Sequence, residues 1–278
     1  YVVGPNNHPD LTTYEKFNFA TEADSTSVGD TGTVGSYCTG VLSETTSYIV
    51  LNATFKKVLF ASGANFADVG QTPTKQTSSQ ASHSNQTHGY LGGGAHSYTH
   101  KFAFSSDVWA GQHGTLLDAT LYQPSSHSDP IGGYGYEAGS NGMSTQVSRF
   151  SFASGANQNG VYIGAVASGM TGTRYGGSSS LTHGYVWGAQ SPGGYSAKND
   201  KFTFASNGNS VLIADGARAK HAGQGYSSET HGFQAGGCNG PYNQWKDIES
   251  VAFASDTVTH GVADMVHPGR QYAAGTHY

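Results

Sequence analysis

KFTFAS, residues 201–206, is one of six related phrases whose spacing decides the fold. The others are KFNFAT from residue 16, KVLFAS from 57, KFAFSS from 101, RFSFAS from 149 and SVAFAS from 250. Their shared second aromatic is Phe19, Phe60, Phe104, Phe152, Phe204 and Phe253, at intervals of 41, 44, 48, 52 and 49 residues. Intervals of this size match a four-stranded propeller blade. Within a phrase the pattern alternates, as in Phe202-Thr203-Phe204, which sends both rings to one face of a strand. The Ala-Ser that follows opens a Gly/Asn/Asp turn, such as SNGN at 206–209, and a second apolar stretch comes next, such as VLIAD at 211–215. No stretch carries a helical period with caps, so the chain reads as all-β.

A second phrase, Thr-His-Gly-aromatic, recurs in SNQTHGYLGGG (84–94), SSLTHGYVWGA (179–189) and SSETHGFQAGG (227–237). The chain ends in GTHY and begins with YVVG; joined, these repeat Thr-His-Gly-Tyr-Val-Trp-Gly with one change. A unit split between the termini suits a closed ring, and closure removes exposed strand edges. The expectation is one domain, a six-bladed β-propeller whose last blade is completed by the N-terminal strand. Its repeat units fall at about 16–55, 56–100, 101–148, 149–200, 201–249, and 250–278 joined to 1–15. The same arithmetic allows that strand to complete the last blade of a neighbouring molecule, which would build a filament.

The Gly-Gly after an aromatic-apolar strand, in GYLGGG and GFQAGG, resembles the kelch-type propeller repeat. The longer pattern is Lys-Phe-x-Phe-Ala-Ser, a Gly/Asn/Asp turn, then Ser-x-Thr-His-Gly-Tyr-x-x-Gly-Gly. It is similar to repeats in uncharacterised phage and marine-virus proteins. That resemblance implies a virion or tail-associated component, located at the virion surface or otherwise extracellular. The chain departs from kelch proper in its tryptophans, since Trp109, Trp187 and Trp245 hold unrelated repeat positions.

Charged residues make up only 11% of the chain and the net charge is -5, with no basic cluster to neutralise phosphates. No apolar run approaches the length of a bilayer span. Neither nucleic-acid binding nor membrane insertion is therefore expected. A first residue of Tyr1 without a signal-peptide pattern is expected of a processed chain, or of the ordered part of a longer one. Whether Cys38 and Cys238 are bridged stays open, because sequence does not say how near their Cα atoms lie. Asn52 and Asn85 begin sequons of a kind that a Ser/Thr-rich chain forms by chance.

Aligning the units puts His88, His183, His231 and His277 at one repeat position, filled by Thr46 and Tyr134 in the other two. Imidazoles at one radius could hold a metal or an anion. A transition metal, however, needs ligands within about 2.0–2.3 Å, closer than blades facing across a channel come. The reading is structural: a Thr-His pair bonding neighbouring backbone at a strand entry, with no metal. Asp-rich stretches at 23–30 and 255–264 place oxygens that suit calcium, but match neither an EF-hand nor a nonapeptide repeat. No cofactor is expected, and calcium is the one to test.

The chain has no nucleophile elbow, zinc-protease motif, P-loop or dinucleotide fingerprint, so it is expected not to be an enzyme. Tyr226, Tyr242 and Trp245, with Tyr175 and Tyr195, lie in Gly-rich segments beside Asn, Gln and Ser, a mixture that suits sugar recognition. The expected function is a non-catalytic structural or adhesive component of a phage virion, for host attachment or particle assembly. The alternatives are a secreted glycan-binding lectin and a self-assembling filament subunit. The expected partners are other virion or filament subunits, and surface glycans, with the chain part of an oligomer.

Overall fold

The computed structural model describes residues 2–3, 12–32, 39–51, 54–62, 65–71, 80–93, 97–116, 124–140, 144–153, 158–167, 176–191, 193–240 and 243–266. These form strands and turns with no helix. The first sheet holds β1 (Val2–Val3), β2 (Thr13–Asn18) and β3 (Ala23–Asp30). The second holds β4 (Thr39–Leu42), β5 (Thr46–Leu51), β6 (Thr54–Leu59) and β7 (Ala67–Gln71). The third holds β8 (Gln80–Ser84), β9 (His88–Gly93), β10 (Tyr98–Ala103) and β11 (Val108–Thr115). The fourth holds β12 (Ser125–Asp129), β13 (Tyr134–Ser140) and β14 (Ser144–Ser151); a short β15 (Gln158–Asn159) leaves it to extend the third, and β16 (Val161–Ala165) completes it. The fifth holds β17 (Gly176–Ser179), β18 (His183–Ser191), β19 (Gly194–Thr203) and β20 (Val211–Asp215). The last holds β21 (Gln224–Ser227), β22 (His231–Ala235), β23 (Asp247–Ala252) and β24 (Thr257–Asp264).

The arrangement is that of a β-propeller, with five blades of four or more strands and a three-stranded first sheet. One expectation is met in part and another needs correction. Six full blades are not present among the described residues. The last sheet is also complete without the N-terminal strand, which pairs instead in the first sheet, Val2 with Glu15 and Val3 with Tyr14. The reason is one of phase: the Lys-Phe-x-Phe phrase is the third strand of a sheet, so units cut there divide each sheet in two. Residues 267–278, the C-terminal half of the split unit, lie outside the described residues.

Successive sheets are joined by the two phrases together. The aromatic of one sheet's second strand stacks on the second Phe of the phrase, which lies just past the end of the next sheet's third strand. The pairs are Tyr48–Phe104, Tyr90–Phe152, Tyr136–Phe204 and Tyr185–Phe253, with centroids 5.4, 4.5, 4.7 and 5.0 Å apart. Phe233 of the last sheet stacks on Phe19 of the first in the same way, at 5.0 Å. Within the phrase the two Phe rings meet edge to face, as Phe202 and Phe204 do at 5.8 Å. Each such pair adds about 0.5–1.5 kcal/mol beyond burial. The Gly after the histidine position makes room for the first Phe: a Cβ at Gly135 would stand 2.6 Å from the Phe150 ring.

Two sets of hydrogen bonds reinforce these stacks. Along the inner strands, the backbone N–H of each sheet donates to a serine of the next: Leu42 to Ser84 (3.2 Å), Ser84 to Ser128 (3.1 Å), Ser128 to Ser179 (3.3 Å) and Ser179 to Ser227 (2.8 Å). On the third strand, buried carboxylates accept the N–H of the residue leaving the preceding sheet. Asp200 takes that of Ala167 at 2.9 Å, Glu249 that of Ala217 at 3.2 Å, and Glu15 that of Val266 at 2.9 Å. Those N–H groups have left their own ladder, and two of them also donate to a serine hydroxyl, Ala167 to Ser210 at 2.8 Å and Val266 to Ser25 at 3.0 Å. The Glu15–Val266 bond and the shared core of Phe17 with Phe233, Ile248 and Met265 join the last sheet to the first within one chain.

Candidate functional site

The Thr-His phrase is a two-residue turn between the inner and second strands. In the fifth sheet Ser180 N–H donates to the His183 carbonyl at 2.9 Å, and Ser180 Oγ accepts from the His183 N–H at 3.0 Å. Thr182 Oγ1 lies 2.8 Å from His183 Nδ1. Ser228-Glu229-Thr230-His231 repeats this geometry, and at 85–88 Asn85 Oδ1 replaces the serine oxygen. Burial holds the His88 and His183 imidazoles below the usual histidine range, with Lys101 and Lys201 adding repulsion, so both rings are neutral at pH 7. Each ring belongs to its own sheet. Among the described residues no three His, Cys, Asp or Glu side chains come together as a metal set. His277 lies outside the described residues. The two Asp-rich stretches are not oxygen-rich loops: 23–30 is β3 and 257–264 is β24, where Asp24 Oδ1 accepts the Asp264 N–H at 2.8 Å.

The aromatic candidates separate. Tyr226 is corrected from an exposed loop residue to a core residue, because it sits on β21, 3% exposed, packed with Phe233 and Ile248. Its Gly-rich surroundings are inner strand, which is why the segment resembles a loop. Tyr195 and Trp245 lie at the junction of the fifth and last sheets, at the end opposite the Thr-His turns. Tyr195 stacks on His221 with centroids 4.7 Å apart, and the Arg218 guanidinium lies 4.2 Å from the Trp245 ring centre. Beneath them, buried Cys238 Sγ is 3.5 Å from His221 Nε2, and buried Lys220 Nζ is 3.3 Å from both Asp247 and Glu249. Tyr175, Tyr242 and Cys38 lie outside the described residues.

Two concave surfaces among the described residues lie on the Thr-His face, where sequence reasoning placed no ligand. A groove of about 640 Å³ runs between the second and third sheets, lined by Glu44, Thr45, Tyr48, Gln86, His88 and Phe104. On the other side of the same Ser43-Glu44 turn, a cavity of about 690 Å³ is lined by Lys16, Phe17, Phe19, Leu42, Glu44 and Phe60. The groove has an aromatic floor and a carboxylate, an amide and a neutral imidazole at its wall, so it offers both donors and acceptors to a polar ligand. Also missed were Asp107 and Asp256, which occupy left-handed backbone at φ 56° in the turn after the third strand. Each meets the Tyr hydroxyl and Lys of the preceding sheet: Tyr48 with Lys57, and Tyr185 with Lys201. Burial, then the aspartate, raises the Tyr48 and Tyr185 hydroxyls well above the usual phenol range. The Ser-Asp-Val and Ser-Asp-Thr triplets at 106–108 and 255–257 were the available signal.

No family model matches the chain, and no curated protein matches it in sequence. Among solved structures it is similar to YjhT, with a TM-score of 0.68 over 87% of both chains at 13% identity. Likeness at that identity is one of fold.

Proposed function

We propose that this chain is a six-bladed, non-catalytic scaffold of a phage virion, displayed extracellularly for host attachment or particle assembly. One observation carries the reading: the polar residues that recur from sheet to sheet are engaged in holding the ring. The Thr-His turns, the inner-strand serines, the third-strand carboxylates and the Asp–Tyr–Lys contacts all bond backbone or neighbouring sheets. The kelch-like and phage-type phrases of the sequence point the same way. The first sheet is the sixth blade in this reading. Val2 and Val3 pair with Glu15 and Tyr14 in the register in which Val186 and Trp187 pair with Asp200 and Asn199. Its neighbours on both sides belong to the same chain, as the Phe233–Phe19 stack and the core of Tyr14 with Ile49 and Val58 indicate.

Gold-labelled antibody against the purified chain tests the proposal on particles of the phage that carries its gene. Decorated tails or capsids, with adsorption to host cells blocked, are expected; unlabelled particles overturn the reading. The groove at Glu44, Gln86 and His88 favours a second reading, a glycan-binding lectin. A glycan array on which a ligand is retained by the native chain and lost by Glu44→Gln with Gln86→Ala would support it, and an array without binders would remove it.

A further inference from the structure

Lysine–carboxylate pairs recur around the ring, and one of them differs in kind. Lys56–Asp68, Lys198–Asp215 and Lys246–Asp264 open to solvent, with aspartate side chains 69%, 57% and 40% exposed. Lys57 and Lys201 each meet a single aspartate, which a tyrosine hydroxyl shares. Lys220 is instead buried, its side chain 2% exposed, and faces two carboxylates of one strand. Its Nζ is 3.3 Å from Asp247 Oδ2 and 3.3 Å from Glu249 Oε1, and the Glu249 side chain is fully buried.

The backbone on both sides fixes this approach. Lys220 N–H donates to the Ser196 carbonyl at 3.2 Å, and His221 exchanges both of its backbone bonds with Cys238 at 2.9 Å. Asp247 and Glu249 are two residues apart on β23, so their side chains leave the same face. Amine and carboxylates are therefore held together, as an intramolecular reaction requires. Glu249 also differs from its counterparts on the other third strands. Asp200 and Glu15 each take a serine hydroxyl, from Ser210 and Ser25. Glu249 takes Lys220, while its Oε2 accepts no hydrogen bond among the described residues and lies 4.0 Å from His260 Nδ1. One ammonium buried with two carboxylates leaves a negative charge in excess, which is costly away from water. Condensation of Lys220 with Asp247 removes two of these three charges.

We propose that Lys220 and Asp247 are joined by an isopeptide bond that the folded chain forms by itself, with Glu249 as proton carrier. Glu249 takes one proton from the Lys220 ammonium and passes it to an Asp247 oxygen. The nitrogen lone pair then attacks Asp247 Cγ, and the C–N bond forms. A second proton moves from the nitrogen through Glu249 to a hydroxyl on Cγ, which leaves as water when its C–O bond breaks. Ammonium and carboxylate thus become one amide and one water; Glu249 returns to its starting state, and nothing is oxidised or reduced. The Asp247 side chain, 15% exposed, gives that water a way out. The bond would tie β23 to the segment after β20, residues 27 apart in the chain, across the junction of the fifth and last sheets. It forms whether or not the chain is displayed on a particle, so the inference stands apart from the virion reading.

Intact-mass measurement of the native chain, denatured after incubation at neutral pH, is the test, with Lys220→Arg and Glu249→Gln beside it. The native chain is expected to be lighter than its sequence by one water. Trypsin is expected to spare the peptide bond after Lys220 and to release a branched peptide joining 220 to 247. Lys220→Arg, and Glu249→Gln shown to be folded by circular dichroism, are expected at full sequence mass. A native chain at full mass, cut by trypsin after Lys220, overturns the inference whatever the variants do. So does a lost water that maps to another pair of residues. A link that persists in Glu249→Gln overturns the role given to Glu249.

Discussion

Two junctions of the ring use one aromatic stack but finish it differently. Between the fourth and fifth sheets, Tyr136 stacks on Phe204 and its hydroxyl donates to the Phe204 carbonyl at 3.3 Å; the long turn at Asn209 then covers the outer strand β16. Between the fifth and last sheets, Tyr185 stacks on Phe253, but its hydroxyl donates to the Asp256 carboxylate at 3.2 Å, which also meets Lys201. The turn there is short and, among the described residues, gives β20 no cap of that kind. A turn long enough to cap the neighbour's edge sends no left-handed aspartate back to the Tyr and Lys, and a turn that does so is too short to cap. Strengthening one side of a junction thus leaves the other side open.

The largest expected effect lies in what the two junctions share. Asp200→Ala and Glu249→Ala each remove a buried carboxylate that ties the third strand to the preceding sheet, from Ala167 and the Ser210 hydroxyl in one case and from Ala217 and Lys220 in the other, and each is expected to cost about 3 kcal/mol in urea unfolding. Similar losses would show that the carboxylate bond is indifferent to turn type; a much smaller loss at one junction would break the comparison there.

The hydroxyls separate the junctions more finely. Tyr185→Phe removes a bond to a carboxylate and is expected to cost about 1.5 kcal/mol, against about 1 kcal/mol for Tyr136→Phe, whose acceptor is a carbonyl. A double-mutant cycle should then find Tyr185 coupled to Asp256 and Tyr136 additive with Asn209. At the short turn itself, Asp256→Ala must hold a left-handed backbone without help. It is expected to fall about 1 kcal/mol below Asp256→Gly, which loses the same carboxylate but takes φ 56° freely.

Titration has the smallest effect. The Tyr90 hydroxyl, pushed up to about 12 by burial, and the raised Tyr48, Tyr136 and Tyr185 stay protonated in the folded ring after the unfolded chain begins to ionise near 10. The tyrosines' contribution to stability is therefore full below pH 10 and declines as pH rises above it. In the opposite direction, burial lowers His88, His113 and His183. The unfolded chain binds protons there first, so stability declines as pH falls below about 6.5. Urea midpoints across both windows check the two signs, and His113→Gln should flatten the acid limb.

Much of the fold is legible without coordinates because its signals are local. Phe202-Thr203-Phe204 alternates along one strand, and its recurrence near every fiftieth residue counts the sheets. The phase was not legible, since nothing within the phrase marks it as a third strand. The candidate site was harder still. Tyr226 looked exposed because glycines surround it, yet Gly225 and its neighbours are inner strand. Glu44, Gln86 and His88 come together only because two turns on different sheets face each other across a junction.

The sequence by itself determined an all-β repeat and the two phrases that hold it together, because alternation and period are properties of neighbouring residues. The tertiary structure alone decided that the histidine phrase's aromatic in one sheet lands on the Phe of the next. It also decided that Asp200 reaches Ala167 and that Asp256 reaches Tyr185, contacts spanning 33 and 71 residues. Partners that far apart are chosen by how sheets pack around a ring, and no local pattern encodes that choice.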